Sequence, residues 1–136
     1  QESYHNKIPE LIQSGNLTGL GGEKAAQNLL KQNHPPTAIL CANDATALGV
    51  IKAARELGFQ IPKHLSVIGY DGIALGGYFD PPLTTLTFSI KESGEEIVNM
   101  ILRRLKGPNL PFISKLASAT LKLRGSEGPP AKDFKN

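Results

Sequence analysis

The 136-residue sequence holds a single cysteine, Cys41, which excludes an internal disulfide and any site built on paired cysteines. Cys41 lies inside an apolar run, where a small core residue is expected rather than a nucleophile. No apolar stretch approaches the roughly 20 residues that span a bilayer, and no leader-like apolar region stands near the N-terminus. The chain opens on Gln1 rather than Met, so a missing N-terminal portion is expected. Charge of one sign is also scarce: 15 basic residues face 12 acidic ones, a net charge of +3. The basic residues are scattered, and only Arg103, Arg104 and Lys106 cluster, at what reads as a solvated helix end. These residues therefore carry no dense nucleic-acid footprint. The histidines, His5, His34 and His64, have no partner at a metal-ligand spacing. The glycines after Ser14 are followed by no Gly-Lys-Ser/Thr, so a phosphate-binding loop is not expected. Asn16-Leu17-Thr18 fits the glycosylation pattern and is read as chance. Repeats and low-complexity tracts are absent. Neither a cofactor nor a metal is expected.

What is present is an ordinary globular composition, 40% apolar and 20% charged, long enough for one domain with a core. Its organising stretch is Pro36 to Asp71. The apolar run Thr37 to Ala42 stops at Asn43-Asp44, an Ala-rich helical segment follows to Leu57, and the run Leu65 to Tyr70 ends at Asp71. That is a βαβ unit, with short continuous apolar runs of the kind found in buried parallel strands. The fold class is α/β, a doubly wound, mostly parallel sheet flanked by helices. Open sheets of this class bind ligands beyond the carboxyl ends of their strands, where Asn43, Asp44 and Asp71 fall. Amide and carboxylate groups there suit the hydroxyls of a sugar or nucleoside.

Elsewhere the pattern predicts a helix from Glu23 to Gln32, stopped by Pro35-Pro36, after a glycine-rich loop. Ile8 to Ile12 reads as a short strand or a helix remnant. Asp44 is the expected N-cap of the next helix and Gly58 its C′ residue. That helix carries a core stripe of Ala47, Val50, Ile51, Ala54 and Leu57, while Leu48 projects opposite. Gly72 to Asp80 reads as a loop with one helical turn. A strand over Thr84 to Phe88 follows, and Ser89 with Glu92 forms a capping box. The helix they open, to about Lys106, is expected to bury Ile90, Ile97, Val98, Ile101, Leu102 and Leu105. Gly107-Pro108 stops it, and residues 112–124 hold one or two short strands.

These residues resemble the LacI/GalR family of bacterial transcription regulators. The resemblance rests on Ala38 to Asp44, Ala47-Leu48-Gly49, Glu56-Leu57-Gly58, Ile61-Pro62, Ser66 to Asp71, Pro81 to Thr85 and Leu123 to Ser126. It covers most of residues 16–126. It implies the C-terminal part of a periplasmic-binding-protein-like effector domain, with the helix-turn-helix head and most of the N-terminal subdomain absent from the chain. It further implies a small-molecule effector of sugar type, a homodimer, operator DNA bound only through the missing head, a cytoplasmic location and no membrane. Asn43 and Asp71 match positions that commonly contact the effector. Leu17 stands where many members place a stacking aromatic, and Phe88 where several have a polar contact, which makes the site more apolar. Gly72 replaces a frequent second acidic residue. Leu48, Tyr78 and Phe79 match places used in the dimer interface.

Two other classes remain in view. A solute-binding protein of a sugar transport system shares the fold, and an α/β enzyme would use Asp44 or Asp71.

Overall fold

Helix α1 (Gly19–Leu30) begins at Thr18, whose hydroxyl accepts from the Gly21 amide at 3.0 Å. Gly19, Gly21 and Gly22, expected in a loop, instead make its first turn, while Gly15 precedes it. Their reason is packing: a Cβ on Gly22 would meet the Thr46 carbonyl oxygen at 2.2 Å, and one on Gly49 the Gly19 carbonyl oxygen at 1.8 Å. Helix α2 (Asp44–Glu56) therefore presses on α1 backbone to backbone. Its cap is Asn43 rather than Asp44, with Asn43 Oδ1 accepting from the Thr46 amide at 2.8 Å. A Schellman motif ends α2: Gly58 N–H donates to the Arg55 carbonyl and Phe59 N–H to the Ala54 carbonyl.

The structure is a computed structural model that describes residues 9–107 and 109–131. His5 and Pro108 lie outside that range. Pro9–Leu11 form one turn of 3-10 helix. Strands β1 (Ala38–Leu40), β2 (Ser66–Tyr70) and β3 (Thr84–Thr87) pair in parallel in that order. Strand β4 (Thr120–Lys122) closes the far edge antiparallel to β3, so residues 112–119 form no strand. A 3-10 helix at Ala74–Tyr78 supplies the expected helical turn.

The core lies between the α1–α2 layer and one sheet face, with Leu30, Ala47, Val50, Ile51, Leu65, Val67 and Leu83 buried. At roughly 1.5–3 kcal/mol for each large side chain fully removed from water, this layer contact is the main source of stability. The segment after β4 is stitched into it. Ser126, without exposure, donates its hydroxyl to the Val67 carbonyl and accepts from the Thr84 amide at 2.8 Å. Arg124 reaches the Leu83 carbonyl at 3.0 Å. The Leu-Arg-Gly-Ser motif is thus a clamp across β2 and β3.

Helix α3 (Ile90–Lys106) starts at Ser89, which accepts from the Glu92 amide at 3.2 Å. Its apolar stripe has the expected helical spacing, but the expected burial is absent. Ile90, Ile97, Val98, Ile101, Leu102 and Leu105 are 48–77% exposed, and the helix contributes no buried residue. Amphipathic spacing reports that a helix has a face to cover, and nothing among the described residues covers this one.

Candidate functional site

Parallel pairing brings the carboxyl ends of β1, β2 and β3 to one side of the sheet, and three of the residues singled out above follow those ends. Asn43 follows β1 across two residues, Asp71 follows β2 directly, and Phe88 follows β3. Leu17 joins them through its backbone, because Asn43 Nδ2 donates to the Leu17 carbonyl at 3.1 Å. Leu17 holds a left-handed conformation at φ 57° and is 62% exposed.

Asn43 works as a cap, yet one amide proton and one oxygen lone pair stay unused. Asp71 is the more pointed residue. Its backbone sits at φ 114°, a region that costs an L residue on the order of 1–3 kcal/mol and concentrates at functional sites. Its amide donates to the Leu86 carbonyl at 3.0 Å. Its carboxylate is exposed and makes no bond with the described residues.

Asp44 has the opposite character. It is fully buried, with Oδ2 accepting from the Ile73 amide at 2.8 Å and Oδ1 from the Thr85 hydroxyl at 2.7 Å. The same Thr85 oxygen accepts from the Gly72 amide at 3.3 Å. Both residues after Asp71 are thereby tied to α2 and β3. Gly72 is held at φ 72°, and a Cβ there would strike Thr87 Oγ1 at 2.4 Å. An acidic side chain at position 72 is excluded in this chain by that contact.

Sequence reasoning passed over Tyr70. Its ring lies 6.1 Å from that of Phe88 at a 38° tilt, so the two aromatics pair across the carboxyl ends of β2 and β3. An aromatic closing an apolar run directly before Asp71 was the available signal. Thr85 was also passed over, since a threonine inside a strand is equally well explained by β propensity. Cys41 is buried, and that burial, reinforced by Asp44, pushes its thiol up to about 12. It is no thiolate nucleophile. Among the described residues no group of three His, Cys, Asp or Glu is placed to hold a metal.

Of the residues matched to a subunit contact, Leu48 is 43% exposed on α2 and Tyr78 is 86% exposed. Phe79 divides from them and packs against the core.

Residues 5–127 match the family described as the periplasmic binding protein-like domain. The chain belongs to that family. Its relatives within the periplasmic binding protein-like family are LacI-type regulators. The HTH-type transcriptional repressor CytR of Escherichia coli strain K12 is 39% identical over 118 residues, 87% of this chain and 35% of that protein. The ribose operon repressor of Haemophilus influenzae is 36% identical over 118 residues, 87% of this chain and 36% of its own length. Among solved structures, the Escherichia coli repressor ascG superposes with a TM-score of 0.72 at 32% identity, over 87% of this chain and 42% of that one. A LacI family regulator from Enterococcus faecium, solved with bound ribose, gives 0.71 at 30% identity, over 83% and 41%. The chain spans about a third of the length of the two repressors compared by sequence.

Proposed function

We propose that this chain is the C-terminal part of the effector domain of a LacI-type transcription regulator. It binds a small polyhydroxylated metabolite at the carboxyl ends of β1 to β3 and dimerises through Leu48 and the Tyr78-Phe79 segment. The observation that carries this reading is Asp71, a free carboxylate held in a strained backbone at the carboxyl end of β2, directly after Tyr70, whose ring pairs with that of Phe88. Such a group accepts from sugar hydroxyls, with the Tyr70 and Phe88 rings offering apolar walls and Asn43 and Leu17 closing the near side. Ribose, bound by the Enterococcus faecium relative, and lactose, bound by one from Arthrobacter, are the first ligands to try. Binding favours one arrangement of the domain, and that shift in population reaches a DNA-binding head outside these residues. In this reading the protein works in the cytoplasm without a cofactor and catalyses no reaction. Asp44 supports the last point, because its carboxylate is buried and already engaged twice.

Calorimetric titration with ribose, lactose and nucleosides tests the site, with Asp71→Asn as the variant. Asparagine tolerates unusual backbone better than alanine, so the fold is preserved while the charge-assisted acceptor is lost. Affinity should fall about tenfold to a hundredfold, from the roughly 1.5–3 kcal/mol of a hydrogen bond to a charged group. Unchanged affinity in Asp71→Asn would remove the assignment. Peptide mapping of the native polypeptide upstream of Gln1 tests the regulator: a helix-turn-helix there supports it, and a secretory leader assigns the chain to a transport protein instead.

A further inference from the structure

Three consecutive amides at the end of β2 are each held by a different acceptor. Asp71 N–H donates to the Leu86 carbonyl of β3 at 3.0 Å, Gly72 N–H to the Thr85 hydroxyl at 3.3 Å and Ile73 N–H to Asp44 Oδ2 at 2.8 Å. The last two acceptors are side chains, and they are joined to each other, with Thr85 Oγ1 donating to Asp44 Oδ1 at 2.7 Å. Both residues are fully buried. The pair forms one relay, from the start of α2 through β3 to the peptide units that follow Asp71.

The direction of β2 shows what this relay prevents. A Cβ on Gly69 would collide with Asp44 Oδ1, so residue 69 faces the α2 side, where the Asp44 carboxylate lies. By the alternation of a strand, Tyr70 faces the other side, and an Asp71 that continued the strand would return to the side of Gly69. There it would bring a second carboxylate toward that of Asp44 in a buried place, against both repulsion and the cost of leaving water. The chain instead turns, at φ 114° in Asp71 and φ 72° in Gly72, and Asp71 stays exposed. Such a backbone persists in an L residue only where its surroundings over-determine it. The three held amides supply that constraint.

We propose that Asp44 and Thr85 are positioning residues for effector binding: through the Gly72 and Ile73 amides they fix Asp71 in its positive-φ conformation and hold its carboxylate out toward the ligand. The inference rests on the effector reading for the ligand and on the hydrogen bonds alone for the geometry. Both residues are buried, so they act on the ligand through Asp71 and not by contact. Without the relay, Asp71 divides between the strained conformation and an extended one, and apparent affinity falls with the fraction that stays competent.

The test compares Thr85→Val, which removes the hydroxyl and keeps the shape, with Thr85→Ser, which retains the hydroxyl. Asp44→Asn, which keeps one acceptor oxygen, decides the matter if Thr85→Val does not fold. The first readout is the three-bond coupling between the amide and α protons of Asp71 in the ligand-free chain, small at this positive φ and large in extended backbone. It should be small in the parent and in Thr85→Ser, and should rise in Thr85→Val and in Asp44→Asn. Titration with ribose is the second readout. Thr85→Val should weaken binding about tenfold, as when about a tenth of the molecules hold Asp71 competent, and Thr85→Ser should bind as the parent does. In an Asp71→Asn background Thr85→Val should cost little further affinity, because the two changes act on one interaction. A coupling unchanged in both Thr85→Val and Asp44→Asn would overturn the inference. So would an affinity loss of equal size with and without Asp71→Asn, which would make Thr85 a residue of the fold in general. If the parent binds neither ribose, lactose nor nucleosides, the effector reading falls, and the coupling still decides whether the relay sets the conformation of Asp71.

Discussion

The Asp44 carboxyl group and the Asp71 carboxylate stand at neighbouring strand ends yet do opposite work, and the difference comes from their hydrogen bonds. Asp44 joins α2 to the backbone that follows Asp71, through Ile73 N–H and through Thr85. Asp44→Ala leaves those two donors unpaired in a buried place, at about 1–3 kcal/mol for each. Urea denaturation should show a loss of about 2–5 kcal/mol on that count, and Asp44→Asn, which keeps one acceptor, a smaller one. A loss in Asp44→Ala below about 0.5 kcal/mol, the range of ordinary surface changes, would contradict the role. Cys41 makes a second prediction at this scale. Its thiol moves from an ordinary 9.0 to about 12 in the folded chain, so the native state holds the proton over a range where the unfolded chain has released it. Stability owed to this group is complete below pH 9 and declines from there to pH 12, at up to about 1.4 kcal/mol per pH unit. Cys41→Ala should flatten that part of the stability–pH curve; a slope identical to the parent's would rule the thiol out as its source.

Elements were legible in the sequence where local chemistry and packing agree, and less so where they part. The strands β2 and β3 and the end of α2 at Gly58 follow from apolar runs and a C′ glycine, and they are found where expected. The start of α1 was missed because glycine signals a loop locally, whereas Gly19 and Gly22 are required by backbone contact with α2, a partner the local pattern cannot reveal. The α2 cap slipped by one residue, from Asp44 to Asn43, because both side chains can cap and only the buried partners of Asp44 decide between them. In the candidate site, Asn43 and Asp71 were readable as strand ends and Phe88 only through the family resemblance, while Tyr70 and Thr85 gained meaning only from the sheet register. The subunit contact proposed at Leu48 belongs to helix α2. Leu48 projects from the face opposite the core and is exposed, so a charge there costs the monomer little but faces apolar surface in an interface. Leu48→Glu should shift sedimentation toward monomer by about tenfold in dissociation constant or more, while the melting temperature of the monomer holds within about 2 °C. An unaltered sedimentation profile would exclude Leu48 from the contact.

At the scale of the whole molecule, the layers are unevenly completed. One sheet face meets α1 and α2 and holds the core. The other carries Leu40, Ile68, Tyr70, Leu86 and Leu121 by strand register, and Leu40 remains 72% exposed. Helix α3 adds a second uncovered apolar surface. Exposed apolar area on this scale marks surfaces meant for a partner or for more of the same polypeptide, in keeping with a chain that spans about a third of its repressor relatives. Stability should be divided accordingly. A helix of 17 residues without a buried side chain has its own hydrogen bonds, the Ser89 cap and a basic last turn to hold it, and isolated helices of about that length are marginal in water. Native-state hydrogen exchange should find α3 amides opening locally at about 0–2 kcal/mol, with α2 and β2 amides near the global limit and sensitive to denaturant with the full slope. Protection in α3 equal to that in α2 would mean that a partner surface covers it in the free chain, and self-association would then be the first property to measure. If α3 instead gains protection only when the longer polypeptide is supplied, its apolar stripe is the seam through which this part of the protein joins the rest.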